Sequence, residues 1–283
     1  MAKLFLYLSK PVYLPGDLVQ GEAVLQTEKA LKVRQVTVEA SGAEKTVVTE
    51  SHGVGKSRHT HTYTDANQIL NFGAIVGPAG DVPPGEYRFP FEFPLPANAL
   101  PTFHGQCAST FYSVRANADI PMWFDASQSA EIPVRQDRRA CREDRSPLGF
   151  STANVDDPSE PGFMARLDRI TFFAGDFVDG TVTLTSGGGH RIRKAIVRLY
   201  TYESATAQGH TSVQENEVSK VLIPGDQLGP ERAAPFRIYI PKDAPGSFSG
   251  MYSSVEWQIE IQLDVAWAFD VKESQDIVVF NAV

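Results

Sequence analysis

Leu14-Pro15-Gly16-Asp17-Leu18-Val19-Gln20-Gly21-Glu22-Ala23-Val24-Leu25 and Phe173-Ala174-Gly175-Asp176-Phe177-Val178-Asp179-Gly180-Thr181-Val182-Thr183-Leu184 carry one pattern twice. Phe173 stands 159 residues after Leu14, and the two segments align without a gap. In Pro15-Gly16-Asp17 the proline presets the first central position of a type II turn, and the glycine supplies the positive φ of the second. Gly21 and Gly180 fall inside strand patterns, where glycine marks either a bulge or a close approach of another group. The alignment continues through residues 32–38, which face residues 191–197.

Working outward, a second block repeats at an offset of 145: Phe89-Pro90-Phe91-Glu92-Phe93-Pro94-Leu95-Pro96 corresponds to Ala234-Pro235-Phe236-Arg237-Ile238-Tyr239-Ile240-Pro241. Thr102-Phe103-His104-Gly105 then meets Ser247-Phe248-Ser249-Gly250, and Phe111-Tyr112-Ser113-Val114 meets Glu256-Trp257-Gln258-Ile259. Copies of this length make two domains, because solenoid units are shorter. Short alternating segments broken by turn residues, with no sustained helical period, make both copies all-β. Seven or so strands per copy favour a β-sandwich, with a closed barrel as the alternative packing. Residues 1–135 and 166–283 are therefore expected to be tandem immunoglobulin-like β-sandwich domains. Residues 136–165, polar and mixed in charge, are expected to link them. Trp257 is read as core and Trp267 as exposed.

The totals agree. A chain of 283 residues with 42% hydrophobic content suits two globular domains. A net charge of −8 lacks the concentrated positive field that nucleic acid requires. No apolar run reaches the roughly 20 residues of a membrane helix, so no membrane insertion is expected. Two cysteines, Cys107 and Cys141, cannot form a disulfide framework or a four-ligand zinc site. With the five-residue apolar stretch near the start too short for a signal peptide, a cytoplasmic protein is expected.

Tyr13-x-Pro15-Gly16-Asp17-x-Val19-x-Gly21, the run Pro84-Gly85-Glu86-Tyr87-Arg88-Phe89-Pro90-Phe91, and Leu100-Pro101-Thr102-Phe103-x-Gly105 resemble successive motifs of arrestin-domain proteins. In the second copy Trp257-x-Ile259-x-Ile261-x-Leu263-Asp264-Val265-Ala266-Trp267 is similar to the bacterial sporulation-control branch of that superfamily. The resemblance spans nearly the whole chain outside the linker. It implies two arrestin-fold sandwiches acting as a non-enzymatic adaptor or scaffold without cofactors. Such a scaffold engages a protein partner, such as the cytosolic part of a membrane protein, through concave sheet faces or sheet edges. A monomer or a homodimer is compatible with it. It also places Asp17 in an inter-domain polar contact, with Arg138, Arg139 or Arg142 as the basic side, and Lys3 and Lys10 among partner-binding residues. Gln20 stands where the pattern has its next acidic residue, so no phosphate-triggered switch is expected.

One segment suggests different chemistry. His52, His59 and His61 flank Gly53-Val54-Gly55-Lys56-Ser57-Arg58. If that stretch turns a hairpin, period-two alternation puts His59, His61 and Tyr63 on one face, with Glu50 and His52 nearby. Imidazoles and a carboxylate suit zinc or nickel, which leaves a metal-binding protein or metal-dependent enzyme as the rival reading. Gly55-Lys56-Ser57 fails as a phosphate loop, because Glu50 occupies the position of its first glycine. A third reading is an extracellular ligand-binding β-sandwich, against which the sparse cysteines and the short apolar start both weigh.

Overall fold

The computed structural model of the chain describes residues 2–53, 59–121, 125–152 and 159–283. Among them no α-helix forms, and one short 3-10 turn spans Gly225–Gln227. The chain divides into two compact units. The first is Met1–Asp137 together with Ala205–Thr211 and Gly250–Ser253; the second is Arg138–Ser204, Ser212–Ser249 and Ser254–Val283.

In chain order the first unit contains β1 (Lys3–Leu8), β2 (Leu18–Thr27), β3 (Leu31–Val33), β4 (Gln35–His52) and β5 (His59–Gly77). After these come β6 (Gly80–Val82), β7 (Gly85–Pro94), β8 (Phe103–His104), β9 (Ala108–Asp119) and β10 (Ala126–Glu131). One sheet has the order β1-β2-β7, and a second runs β10-β9-β4-β5 with β8 attached to β9. Period-two alternation builds the core between them. Leu4, Val19, Ala23, Leu25 and Phe93 point inward from the first sheet, and Val36, Val38, Ala40, Tyr112, Val114 and Ala116 from the second, in one buried cluster. Tyr13 and Phe93 are among the largest side chains that water does not reach. Each such ring removes enough apolar surface to contribute about 2–3 kcal/mol.

The second unit repeats the plan with β11 (Leu148–Ser151), β12 (Pro161–Leu167), β13 (Thr171–Phe173), β14 (Phe177–Gly187) and β15 (Ile192–Ala207). It continues with β16 (His210–Pro224), β17 (Ala234–Tyr239), β18 (Phe248–Ser249), β19 (Ser253–Val265) and β20 (Val271–Phe280). Its sheets run β11-β12-β14-β17 and β13-β20-β19-β15-β16, with β18 on β19. Along β19, Val255, Trp257, Ile259, Ile261 and Leu263 are buried while Glu256 is exposed. Both units thus have separate sheets with open edge strands, which makes them β-sandwiches and not closed barrels.

The stretch expected as a linker holds β11 and most of β12. Phe163, Ala165 and Leu167 alternate with exposed Met164 and Arg166 and enter the core. β12 thereby becomes the counterpart of β1, pairing with β14 as β1 pairs with β2. The surrounding Asp, Ser and Pro residues hide this short alternation in any average over the segment.

Both repeated glycines are close approaches, not bulges. Gly21 pairs with Phe91, and Gly180 with Phe236, in unbroken register. A Cβ at Gly21 would run into the Phe91 ring and the Tyr7 carbonyl; at Gly180 it would meet the Phe236 ring and the Arg166 carbonyl.

Candidate functional site

Among the described residues of the first unit, β1 has one neighbour, β2, and β10 has one neighbour, β9. Their free edges face a common groove of about 590 Å³, lined by Ala2–Tyr7 on one side and Asp125–Gln128 on the other. An unpaired edge presents a row of backbone donors and acceptors that water satisfies only until another strand arrives. Lys3, one of the two lysines singled out in the sequence, is exposed along this groove. On the β1-β2-β7 face, a separate hollow of about 670 Å³ is lined by Tyr7, Gly21, Glu22, Phe91 and Glu92. The second unit has a hollow of about 700 Å³ on its corresponding sheet, lined by Phe150, Met164, Arg166 and Thr181 among others.

Lys10 lies elsewhere. Its Nζ donates to Asp17 Oδ2 at 2.9 Å, and the Leu14 N–H donates to the same oxygen at 3.1 Å. The turn that holds Asp17 is the one the sequence specifies: Gly16 has φ +83°, and the Asp17 N–H donates to the Leu14 carbonyl at 3.0 Å. The Lys10 ammonium, first of all, holds the Asp17 carboxyl below its ordinary range; burial opposes it, and the Leu14 N–H adds to the lowering. The basic residues considered for Asp17 belong to the second unit. There the Arg138 guanidinium stacks over the Phe173 ring at 4.2 Å, and the Arg138 backbone N–H donates to the Val283 carbonyl. Arg139 and Arg142 are exposed.

β4 and β5 pair with Glu50 opposite His61 and His52 opposite His59. Residues 54–58 and the His52 side chain lie outside the described residues. Among the described residues, no three His, Cys, Asp or Glu side chains gather as a metal site would require. Glu50 instead meets a residue the sequence did not flag: its Oε1 is 3.0 Å from His210 Nδ1. The His210 ring stacks on Tyr63 with centroids 3.7 Å apart. Gln208 adds an N–H to Asp65 Oδ2 at 2.7 Å, so Ala205–Thr211 is held on the β4–β5 hairpin by several polar contacts.

A second unforeseen residue is Glu44, whose carboxylate is wholly buried. Its Oε2 accepts the Met251 N–H at 3.0 Å; its Oε1 accepts the N–H groups of Tyr252 and Ser253 at 2.9 and 2.8 Å, and the Ser253 hydroxyl at 2.7 Å. Successive N–H groups of this kind form an anion-binding nest, here filled by a side chain of the same unit. Gly250 admits the carboxylate, since a Cβ there would collide with it. A signal for Glu44 was present: it occupies a core-facing phase in the alternation from Val36 to Val48, and Glu203, 159 residues later, is buried as well.

Two β-sandwiches built on a repeated Gly-Asp-x-Val-x-Gly turn define an arrestin-fold chain. The family model described as the arrestin (or S-antigen) N-terminal domain matches residues 4–137 and 229–283, more than half of the sequence. The chain belongs to that family. It is 31% identical over 110 residues to arrestin domain-containing protein 1 of Rattus norvegicus, a match covering 39% of this chain and 24% of the relative. It is 29% identical over 135 residues to arrestin domain-containing protein 4 of Mus musculus, covering 44% of this chain and 32% of the relative. The aligned region thus spans about a quarter to a third of these relatives. Among the described residues, no helix is long and apolar enough to cross a membrane.

Proposed function

We propose that the chain is a cytoplasmic, non-enzymatic adaptor with a regulatory or trafficking role, and that it holds an extended segment of a protein partner along the free edge of β1. The observation that carries this reading is the groove between β1 and β10, where two unpaired strand edges face the same space. A strand entering it gains main-chain hydrogen bonds from β1, while side chains on alternate positions meet the groove wall. Lys3 favours an acidic residue beside the strand. The cytosolic part of a membrane protein is a partner of the required kind, since such tails offer extended segments. Asp17 with Lys10 has a supporting role, fixing the turn that follows β1.

Site-specific photocrosslinking in the native cell tests the proposal. Probes replacing Tyr7 and Ser127, both on the groove, are expected to trap the same protein. A probe at Ser274, on the exposed side of β20, is expected to trap none. Equal yields from all three positions would remove the groove from the proposal.

A further inference from the structure

The long hairpins of the two units end in edge strands, β5 in the first and β16 in the second. Natural edge strands are kept from pairing by charges, prolines and bulges. β16 follows that rule: it carries Glu215, Glu217 and Lys220 and ends at Pro224. β5 does not follow it throughout. From Ala66 to Val76 its sequence is Ala-Asn-Gln-Ile-Leu-Asn-Phe-Gly-Ala-Ile-Val, with neither charge nor proline.

Two irregularities bound the usable part of this edge. β5 has one residue more than β4 at Ile69 and again at Val76, so Leu70–Ile75 pairs one for one with Thr37–Gly42. Before this stretch the strand is engaged, because Thr64 and Asp65 accept hydrogen bonds from Gln208. Within it, Asn71, Gly73 and Ile75 form an exposed row: Ile75 is 67% exposed, and a Cβ on Gly73 would touch nothing. This six-residue stretch of regularly paired edge strand, with an apolar side chain at one end, is open to a further strand.

We infer that this edge pairs antiparallel with the same strand of a second copy, Asn71–Ile75 against Asn71–Ile75 about a two-fold axis at Gly73, a register that keeps the exposed rows of both copies on one face. A two-fold contact uses one patch on both partners, so the patch must be compatible with itself. An uncharged strand meets that condition, since self-pairing brings no like charges face to face; Asp65 falls outside the paired stretch. The strand itself offers a charged partner no counter-charge; the charge that flanks the exposed row is Glu39, opposite Gly73 on β4. Five pairs bury less than the roughly 1,200 Å² of a standard stable interface. The association is therefore weak and rises with concentration. It uses a different edge from the β1 groove and stands independently of the proposed function.

Sedimentation velocity of the full chain, across a series from micromolar to millimolar, tests the inference. The wild type is expected to shift from monomer toward dimer, and Ile75→Lys or Asn71→Lys to remain monomeric at every concentration. Val213→Lys, exposed on β16, is expected to behave as wild type. Circular dichroism checks that each variant is folded. Gly73→Lys, at the open position, provides a further gatekeeper should either variant fail. Hydrogen exchange at high concentration is expected to slow specifically in Asn71–Ile75. A wild type that stays monomeric, or a dimer that survives folded variants with lysine on this row, overturns the inference.

Discussion

The turn before β2 and the turn before β14 solve one problem with different side chains. In the first unit, Asp17 accepts the Leu14 N–H at 3.1 Å and the Lys10 ammonium at 2.9 Å. In the second, Asp176 accepts the Phe173 N–H at 3.1 Å and the Arg169 guanidinium at 2.8 Å. Lys10 lies 5.8 Å from the Tyr13 ring centroid, and Arg169 lies 4.8 Å from that of Phe172. Each residue of the second set stands 159 positions after its counterpart, so the duplication reaches upstream of the glycine motif to a cation and an aromatic ring. The difference is equally local. The Tyr13 hydroxyl accepts the Lys10 N–H and donates to the Gln20 carbonyl, contacts that Phe172 cannot make. What the two copies share is a backbone turn closed by a carboxylate, and its cation can be exchanged.

The largest expected effect lies away from the turns, at the buried carboxylate of the repeat. Glu44→Leu keeps most of the volume but leaves the N–H groups of Met251, Tyr252 and Ser253 without their acceptor. Each buried donor left unpaired costs about 1–3 kcal/mol, so a loss of roughly 3–5 kcal/mol is expected on chemical denaturation. Hydrogen exchange should accelerate at those three amides. A loss below about 1 kcal/mol would mean that water replaces the carboxylate and that the nest is not what holds the segment.

The next effect should be equal in both copies. Gly21→Ala and Gly180→Ala each push a methyl group against a neighbouring strand's carbonyl and a phenylalanine ring. Overpacking of this kind costs about 1–3 kcal/mol, and the carbonyls cannot move without breaking their ladders. Calorimetry of the two variants therefore sharpens the comparison. Similar losses support one repeated design; a large loss in only one variant would show that the other sheet can open by a few tenths of an ångström.

Much of this architecture is legible in the sequence, and the failures have physical reasons. The turn could be read because its chemistry is local: proline, glycine and aspartate act within four residues. Trp257 and Trp267, ten residues apart, share one phase of the alternation; what separates them is the end of β19 at Val265, beyond which Trp267 lies in a turn at φ +61°. The first is buried with its indole N–H on the Pro245 carbonyl, and the second is 99% exposed. β12 was hidden because three inward residues are too few to outweigh a polar neighbourhood. Glu50 with His210, 160 residues apart, and Glu44 with Ser253, 209 apart, could not be paired from the sequence. Such contacts depend on which hairpin reaches which strand, and no local period encodes that. Even so, an inward-phased glutamate repeated at Glu203 was a readable sign of a buried carboxylate.

A smaller effect separates the turns by pH. The Lys10 ammonium and the Leu14 N–H hold the Asp17 carboxyl below its ordinary value of 3.8. A carboxyl depressed on folding adds stability that is present above the unfolded value and is lost as pH falls through the folded one. Because the pair is largely exposed, the contribution is at most a few tenths of a kcal/mol and fades with salt. An NMR titration of Asp17 should therefore move upward toward 3.8 in Lys10→Met. No movement would assign the depression to the backbone donor alone.

The finest test exchanges the cations. In Lys10→Arg, a planar guanidinium gains access to the Tyr13 ring and keeps its bond to Asp17. In Arg169→Lys, the second unit loses the stacking on Phe172 that a compact ammonium reproduces poorly. Cation–π contacts at partly exposed sites are worth about 0.5–1 kcal/mol. Arg169→Lys is thus expected to lower stability by that amount, while Lys10→Arg leaves it unchanged or slightly raised. The double exchange should give the sum of the two, because the turns have no residues in common. If Arg169→Lys proves neutral, the ring beneath the cation serves only to fill the core, and the two turns are equivalent in energy as well as in backbone.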